Sequence, residues 1–197
     1  MTTIRFVLAA LAIGLPASGF AQANLAGANY IGVVVGTGKV GLNCPSGTRC
    51  SPVDTNRTLR AGHRFNESWA FEVAYAHTDA DWGVLGYNYS AEFVGFSVGA
   101  AYTLPLSASV GALVRVGGAS NELKLQPAVA FGQSNPGTLT TRSVKPYVGL
   151  GLSWQFARHW STSFNVDLTR ADLRETPNGS KQSVTVRTLG AGIALNF

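Results

Sequence analysis

Hydrophobic and polar residues alternate in eight segments of this chain. In the last segment Leu189, Ala191, Ile193, Leu195 and Phe197 fall on one side, and the residues between them are small or polar. A period of two is typical of a β-strand with one covered face, because successive side chains point to opposite faces of a sheet. The eight segments predict strands at 29–40, 58–65, 69–78, 92–104, 109–118, 144–156, 160–170 and 184–197.

Short connections alternate with long, polar ones along the chain. The short ones are 66–68, 105–108 and 157–159, and the long ones are 41–57, 79–91, 119–143 and 171–183. This alternation predicts an up-and-down meander with all short turns at one end, and the even number of strands brings both chain ends there. Transmembrane barrels have short periplasmic turns and longer external loops. We therefore predict an all-β fold, an eight-stranded antiparallel transmembrane β-barrel.

The aromatic residues of the apolar rows lie beside the short turns or the C-terminus, as in the girdle of a membrane barrel. A soluble barrel with an apolar core is the alternative, but its exterior would then consist mostly of Gly, Ala and Ser. We expect the apolar rows to face lipid and the opposite rows to line a narrow polar interior. The girdle residues are Phe65, Trp69, Tyr102, Trp154, Phe156, Trp160 and Phe197.

Composition supports export to a membrane. Charged residues make up 13% of the chain, about half the share usual in soluble domains. One positive charge, an apolar run at 6–15 and the small residues Ala21 and Ala23 predict a cleaved signal peptide at 1–23, followed by one barrel domain at 24–197. No later segment is apolar for long enough to predict a transmembrane helix. The net charge is +5, but the basic residues form no cluster interleaved with aromatic residues. The sequence therefore does not indicate a nucleic-acid partner.

The two cysteines, Cys44 and Cys50, are separated by five residues in "CPSGTRC", within a predicted long loop. An exported chain passes through an oxidising compartment, which favours a local disulfide. The stretch holds no histidine or acid to complete a metal site. We predict a disulfide, with no metal and no cofactor.

Several stretches resemble the small eight-stranded outer-membrane barrels of the OmpA transmembrane type. The resemblance implies an integral outer-membrane location, lipid and lipopolysaccharide as surroundings, and a monomer. It also implies that Phe197 is read by the barrel-assembly machinery, and the family's peptidoglycan-binding domain is not expected here. The matching stretches are "TLRAGHRFNESWAFEVAYAH" (58–77), "GFSVGAAYTL" (95–104), "VRVGG" (114–118), "KPYVGLGLSWQF" (145–156) and "LGAGIALNF" (189–197).

The resemblance also implies an interior charge cluster that acts as a gate. Glu72 matches the family's gate glutamate and Arg115 an interior arginine, whereas Gly99, Ser153 and Ser163 replace charged residues of the family. Two interpretations stay open: a structural ion pair that satisfies buried charges, or an ion gate. Such a gate would be built from Arg60, Arg64, Arg115, Glu72 and Asp167.

Three short motifs match enzyme signatures but lack the neighbouring structure that those signatures require. "GTGKVG" at 36–41 is not followed by a helix, and "GFSVG" at 95–99 lies within an unbroken strand pattern. The pair His159 and Ser161 resembles the His-x-Ser pair of lipid A deacylase barrels, but it falls at a short turn. We therefore predict no catalytic residue.

The predicted function is a structural or surface-interaction role, with long external loops for adhesion or envelope integrity. An eight-stranded interior is only wide enough for side chains, so a large pore is not expected. A narrow channel for ions or small solutes is the alternative, and a lipid A-modifying enzyme is the third. The basic residues expected near lipopolysaccharide phosphates are Arg142, Lys145, Arg170, Arg174, Lys181 and Arg187.

Overall fold

The computed structural model describes residues 28–41, 53–84, 87–126, 138–173 and 182–197. The predicted signal peptide and the cysteines Cys44 and Cys50 lie outside the described residues. Arg174 and Lys181 lie outside them as well.

Eight antiparallel strands form one closed barrel, which confirms the predicted fold. Each strand pairs with its neighbours in sequence, and the first strand pairs with the last. Asn29 and Phe197 exchange two backbone hydrogen bonds of 2.7 and 2.9 Å at this closure. The strands are β1 (Asn29–Val40), β2 (Val53–Arg64), β3 (Trp69–Val84), β4 (Tyr87–Pro105), β5 (Val110–Gln126), β6 (Leu139–Gln155), β7 (Trp160–Leu173) and β8 (Gln182–Asn196).

The strands are staggered, so each one is tilted against the barrel axis. Cross-strand partners followed once around the barrel from Val53 lead back to β2 at His63, ten residues further along. Stagger and strand number together fix the tilt of a barrel, which is about 40° for barrels of this kind. At about 3.3 Å per residue along the strand, each residue then gains roughly 2.4 Å of height.

At the short-turn end the strands begin or end within one residue of the predicted positions. At the other end β2 to β8 are two to eight residues longer than predicted. The prediction of a long loop at 79–91 is wrong, because β3 and β4 stay paired as far as Val84 and Tyr87. On β4 and β5 the alternation is reversed there, with apolar residues such as Phe93 and Leu123 facing inward and charged residues such as Glu122 facing outward. The apolar outward row that identified each strand therefore ends before backbone pairing does.

Exposed apolar side chains cover the outer surface as a continuous band, which we call the apolar belt. The predicted outward rows of the strands supply it. Residues at this surface need no partner within the protein if lipid surrounds it, and an apolar band about 25 Å tall is the mark of outer-membrane barrels. No helix within the described ranges is long and apolar enough to span a membrane. The most exposed members of the belt include Val35, Leu59, Phe65, Phe96, Leu150, Leu152, Phe164 and Phe197.

A second apolar cluster, which we call the lumenal cap, fills the inside of the barrel at the long-loop end. Its side chains come from the inward rows of five strands and are almost fully buried. The inward rows predicted a polar interior throughout, so the apolar cap corrects that expectation. It consists of Val40, Ala91, Phe93, Leu123, Ala171, Leu173, Val184 and Val186.

Four strands rise together above the rest of the barrel. Among the described residues, β2–β3 pairing ends at Asn56–Thr78 and β6–β7 pairing ends at Tyr147–Thr169. Pro146, which directly precedes Tyr147 on β6, has no N–H with which to continue the ladder. We call the rising sheet the outer wall; it comprises 79–84, 87–93, 120–126 and 139–146.

Candidate functional site

Charged side chains meet in the middle of the barrel, on inward positions of four different strands. Each of them faces a glycine on a neighbouring strand. Glu72 stands opposite Gly62 and Gly99, and Gly149 stands opposite both Arg115 and Asp167. The glycines leave the space that the long charged side chains occupy.

Glu72 is the centre of the first half of this cluster. The Nε of Arg115 donates a hydrogen bond of 2.8 Å to its Oε2 atom, and the Tyr30 hydroxyl donates to its Oε1 atom. Arg115 also donates from Nη1 to the side-chain oxygen of Asn165 at 2.8 Å. Glu72 and Arg115 are 7% and 4% exposed, so the two charges compensate one another almost out of contact with solvent.

Asp167 is the centre of the second half. Arg60 donates from Nη2 to its Oδ2 atom at 3.1 Å, and the Tyr147 hydroxyl donates to its Oδ1 atom at 2.8 Å. The Nε atom of Arg60 also lies 3.9 Å from Oε2 of Glu72. Arg60 therefore joins the halves into one network of two arginines and two carboxylates, which we call the lumenal network.

The network is neutral in sum, which is what burial of ions requires. Removing two charges from water costs several kcal/mol per ion, and only close, hydrogen-bonded opposite charges offset that cost. Arg60 is incompletely satisfied, because its Nε and Nη1 atoms have no hydrogen-bond partner among the described residues.

Of the five residues predicted for this cluster, four come together in the network. Arg64 stands apart, lying 4.8 Å above the ring of Tyr30 and forming no ion pair among the described residues. Tyr30, Tyr147 and Asn165 were not among the predicted members of this cluster, although all three lie on inward positions. The sequence signal for the two tyrosines is their position in rows of small residues. A buried tyrosine hydroxyl needs a hydrogen-bond partner, which predicts a contact with the charged cluster.

Among the described residues, cavities lie at three levels of the lumen. A vestibule of about 160 Å³ opens at the short-turn end beside Arg64 and Glu67. A cavity of about 60 Å³ lies against Glu72 and Arg115. A third, of about 40 Å³, lies between Asp167 and Phe93, a member of the lumenal cap.

The comparison with protein families decides the class of this barrel. The family model described as "Outer membrane protein beta-barrel domain" matches residues 7–197. The chain belongs to this family. It is an integral protein of the outer membrane, and its closed barrel and apolar belt fit that location. No curated protein sequence matches the chain at a significant level.

Solved structures of other outer-membrane barrels share the fold. Neisserial surface protein A is 16% identical with a TM-score of 0.62, over 87% of this chain and 99% of that one. Ail, the attachment invasion locus protein of Yersinia pestis, solved with the heparin analogue sucrose octasulfate, is 16% identical with a TM-score of 0.58 over the same shares. OprG of Pseudomonas aeruginosa is 16% identical with a TM-score of 0.57, over 89% of this chain and 98% of that one. At such identities the likeness shows the fold alone.

The predicted girdle residues lie on the outside of this outer-membrane barrel, around the short-turn end. Trp69 and Tyr102 are in contact, with ring centroids 4.9 Å apart. Trp154 and Phe156 form a second pair at 5.8 Å. Phe65, Trp160 and Phe197 are also exposed there. Because short turns of such barrels are periplasmic, the lumenal cap and the outer wall lie at the extracellular end.

The His-x-Ser pair lies at the opposite end of the outer-membrane barrel from that wall. His159 belongs to the short turn before β7, and its Nδ1 atom is 3.0 Å from the backbone oxygen of Asn196. Ser161 is the second residue of β7. Both residues are therefore at the periplasmic end, far from the leaflet that carries lipid A.

Proposed function

We propose that this outer-membrane barrel is a non-conducting protein that works by surface contact at its extracellular end. The observation that carries the proposal is the outer wall. A tilted strand crosses the bilayer in about 9–11 residues, whereas β3 to β6 have 16, 19, 17 and 17 residues. The excess is ordered, paired sheet above the apolar belt, where it can meet another surface.

Ion pairs across the strands support the outer wall as a fixed surface. The Nε atom of Arg142 lies 2.6 Å from Oε2 of Glu122. Lys124 lies 3.3 Å from Glu92 and 3.8 Å from Glu122. Opposite charges on neighbouring strands each add a fraction of a kcal/mol to sheet stability, so the wall holds its shape beyond the membrane.

The interior of the barrel favours a role in surface contact over a role in transport through the lumen. A solute entering from outside would first meet the lumenal cap and then the lumenal network. The cap is an apolar cluster with buried side chains such as Phe93 and Leu123. An ion would lose its water there without gaining a polar partner.

Two of the structural neighbours carry names that accord with this proposal. One is named a surface protein and another an attachment and invasion protein, the latter solved with a sulfated sugar. For the present chain, contact with host surfaces is an inference from the wall and from this shared architecture.

The alternative, a narrow gated channel, is favoured by one observation. Arg60 lies between two carboxylates, 3.1 Å from Asp167 and 3.9 Å from Glu72, and two of its donors have no partner within the described residues. An arginine in this position can exchange one acid for the other, and such a rearrangement would be the motion of a gate.

One pair of variants separates the two functions. In the wall variant residues 81–90 are replaced by a two-residue Asn-Gly turn, which keeps the pairing of Ala80 with Ala91, and in the lumen variant Glu72 is replaced by Gln. Cells that express each variant are tested for attachment to epithelial monolayers and to heparin-coated beads, and the purified proteins are tested for conductance in planar bilayers. We expect the wall variant to lose attachment, the lumen variant to keep it, and the unmodified barrel to show no steady conductance.

Attachment no greater than that of cells without the protein, on both surfaces, would contradict the proposed surface role. Steady single-channel currents that change in the Glu72→Gln protein would favour the channel instead. Correct insertion is checked for every variant by the change in gel mobility between heated and unheated samples.

A further inference from the structure

The outer face of the barrel is electrostatically divided just above the apolar belt. On the β3–β6 side the exposed charges alternate in sign and are paired, as in Arg142–Glu122 and Lys124–Glu92. On the side formed by β7, β8, β1 and β2 the exposed charges are all positive. We call these four residues the basic row: Arg170, Arg187, Lys39 and Arg57.

The basic row occupies corresponding positions on four neighbouring strands. On β7, Arg170 is the next outward residue after the apolar Leu168. On β8, Arg187 is likewise the next outward residue after Leu189.

The other two strands continue the same row. On β2, Arg57 follows Leu59, and on β1, Lys39 lies two outward positions beyond Val35. With about 2.4 Å of height per residue, the four Cα atoms fall within roughly 7 Å of height at the upper edge of the apolar belt. This is the level of the lipid headgroups in the outer leaflet.

Three cations of the basic row, Arg170, Arg187 and Lys39, face one another without a carboxylate between them. Lys39 and Arg187 are direct cross-strand partners, and Arg170 is the diagonal neighbour of Arg187. Like charges in directly opposite positions destabilise a sheet. None of the four has a carboxylate within ion-pair distance among the described residues.

The acid on the outward row of β7 is already engaged. Asp172, further up β7, is bound by Lys145 at 2.7 Å. An arrangement that repels itself in the isolated protein, at headgroup height, calls for an anion from outside the chain.

We propose that the basic row is a binding site for a phosphorylated glycolipid of the outer leaflet, of the lipid A type. Arg170, Arg187 and Lys39 take one phosphate between them through charge-assisted hydrogen bonds, and Arg57 flanks the site on the next strand. The acyl chains lie against the exposed apolar residues directly below, among them Leu168 and Leu189. A soluble phosphate would use the cations but not that apolar surface, and so the site is assigned to the lipid.

The structure thereby revises the set of basic residues expected to meet lipopolysaccharide. Arg142 and Lys145 are held in ion pairs with Glu122 and Asp172. Arg170 and Arg187 remain, and Lys39 and Arg57 join them from β1 and β2. The site does not depend on contact between the outer wall and a host surface.

A matched pair of double variants tests the proposal. Lys39→Gln with Arg187→Gln removes the opposed cations, whereas Lys124→Gln with Arg142→Gln removes the same charge from the other side of the barrel. Each protein is reconstituted in nanodiscs of phosphatidylcholine with lipid A and extracted in mild detergent, and the lipid A retained per barrel is measured by mass spectrometry. We expect retention to fall on the order of tenfold for the basic-row variant only, since each surface cation adds to the attraction of an anionic headgroup.

Two further readouts protect this result against a simple folding defect. Without lipid A, the Lys39→Gln, Arg187→Gln protein should unfold at the same temperature as the unmodified barrel or a higher one, since a repulsion has been removed. Addition of lipid A should raise the Tm of the unmodified barrel and not that of this variant. Dephosphorylated lipid A should be retained only weakly by the unmodified barrel, to the same low level at which the basic-row variant retains lipid A.

Equal retention of lipid A by the unmodified barrel and the basic-row variant overturns the proposal. Equal retention of the phosphorylated and dephosphorylated lipids does so too. If phosphatidylglycerol is retained as well as lipid A, the row attracts any anionic lipid and the glycolipid assignment is wrong.

Discussion

At the scale of single residues, the interior shows how a barrel keeps charges out of water. Glu72 interacts with two arginines, 2.8 Å from Arg115 and 3.9 Å from Arg60, and also accepts a hydrogen bond from Tyr30. A surface pair such as Glu92 with Lys124 has similar chemistry, but each of these side chains is about a third exposed. The same substitution should therefore have very different effects at the two glutamates.

Glu72→Leu should lower the free energy of unfolding by about 3–5 kcal/mol, because it leaves buried arginines without their counter-charge. Glu92→Leu, the matched control, should change it by no more than about 1 kcal/mol, because solvent screens an exposed pair. Urea unfolding in lipid vesicles, followed by tryptophan fluorescence, measures both. Equal losses for the two variants would show that the lumenal network does not stabilise the barrel.

At the scale of the strands, the period of two identified all eight elements and the direction that each residue faces. It located the short-turn ends because bilayer and water meet there and the aromatic residues record the boundary. The extracellular ends were missed, since residues such as Asp79 and Glu122 extend strands whose outward row is no longer apolar. The period of two could not predict which side chains meet across the lumen, because those contacts depend on the stagger between strands.

Glycines make the strand-scale geometry testable. A Cβ at Gly149 would collide with the carboxylate of Asp167 and lie 3.1 Å from the Tyr147 hydroxyl, whereas a Cβ at Gly118 would meet nothing within 4 Å. Gly149→Ala should therefore destabilise the barrel by about 1–3 kcal/mol through overpacking. Gly118→Ala should be neutral or stabilise it by up to about 1 kcal/mol, since alanine loses less conformational freedom.

Both alanine variants are compared by the same urea unfolding in vesicles. If Gly118→Ala loses as much unfolding free energy as Gly149→Ala, glycine is needed in the strands for a reason other than space for the lumenal network. A loss confined to Gly149 would show that this glycine makes room for the lumenal network.

At the scale of the whole molecule, an apolar exterior surrounds an interior that is polar at its centre and apolar at its extracellular end. Lipid is the solvent of the outer surface, and closure of the barrel leaves no strand edge unpaired within the membrane. Phe197 completes that closure through its backbone bonds to Asn29. Proposed surface contact by the outer wall and proposed lipid binding by the basic row both presuppose this orientation of the two faces.

Spin labels on β6 and β4 test the orientation most directly. In a chain with Cys44 and Cys50 replaced by serine, single cysteines are placed at Leu150 and Leu152 on the outer face, at Ser97 and Ser153 on the inner face, and at Ser107 in a turn as a water reference. In lipid vesicles the labels at Leu150 and Leu152 should collide often with oxygen and seldom with a water-soluble nickel complex, and those at Ser97 and Ser153 seldom with oxygen. Nickel collision rates at Leu150 and Leu152 as high as at Ser107 would contradict a lipid-facing apolar belt, and with it the account of this protein as a membrane-spanning barrel.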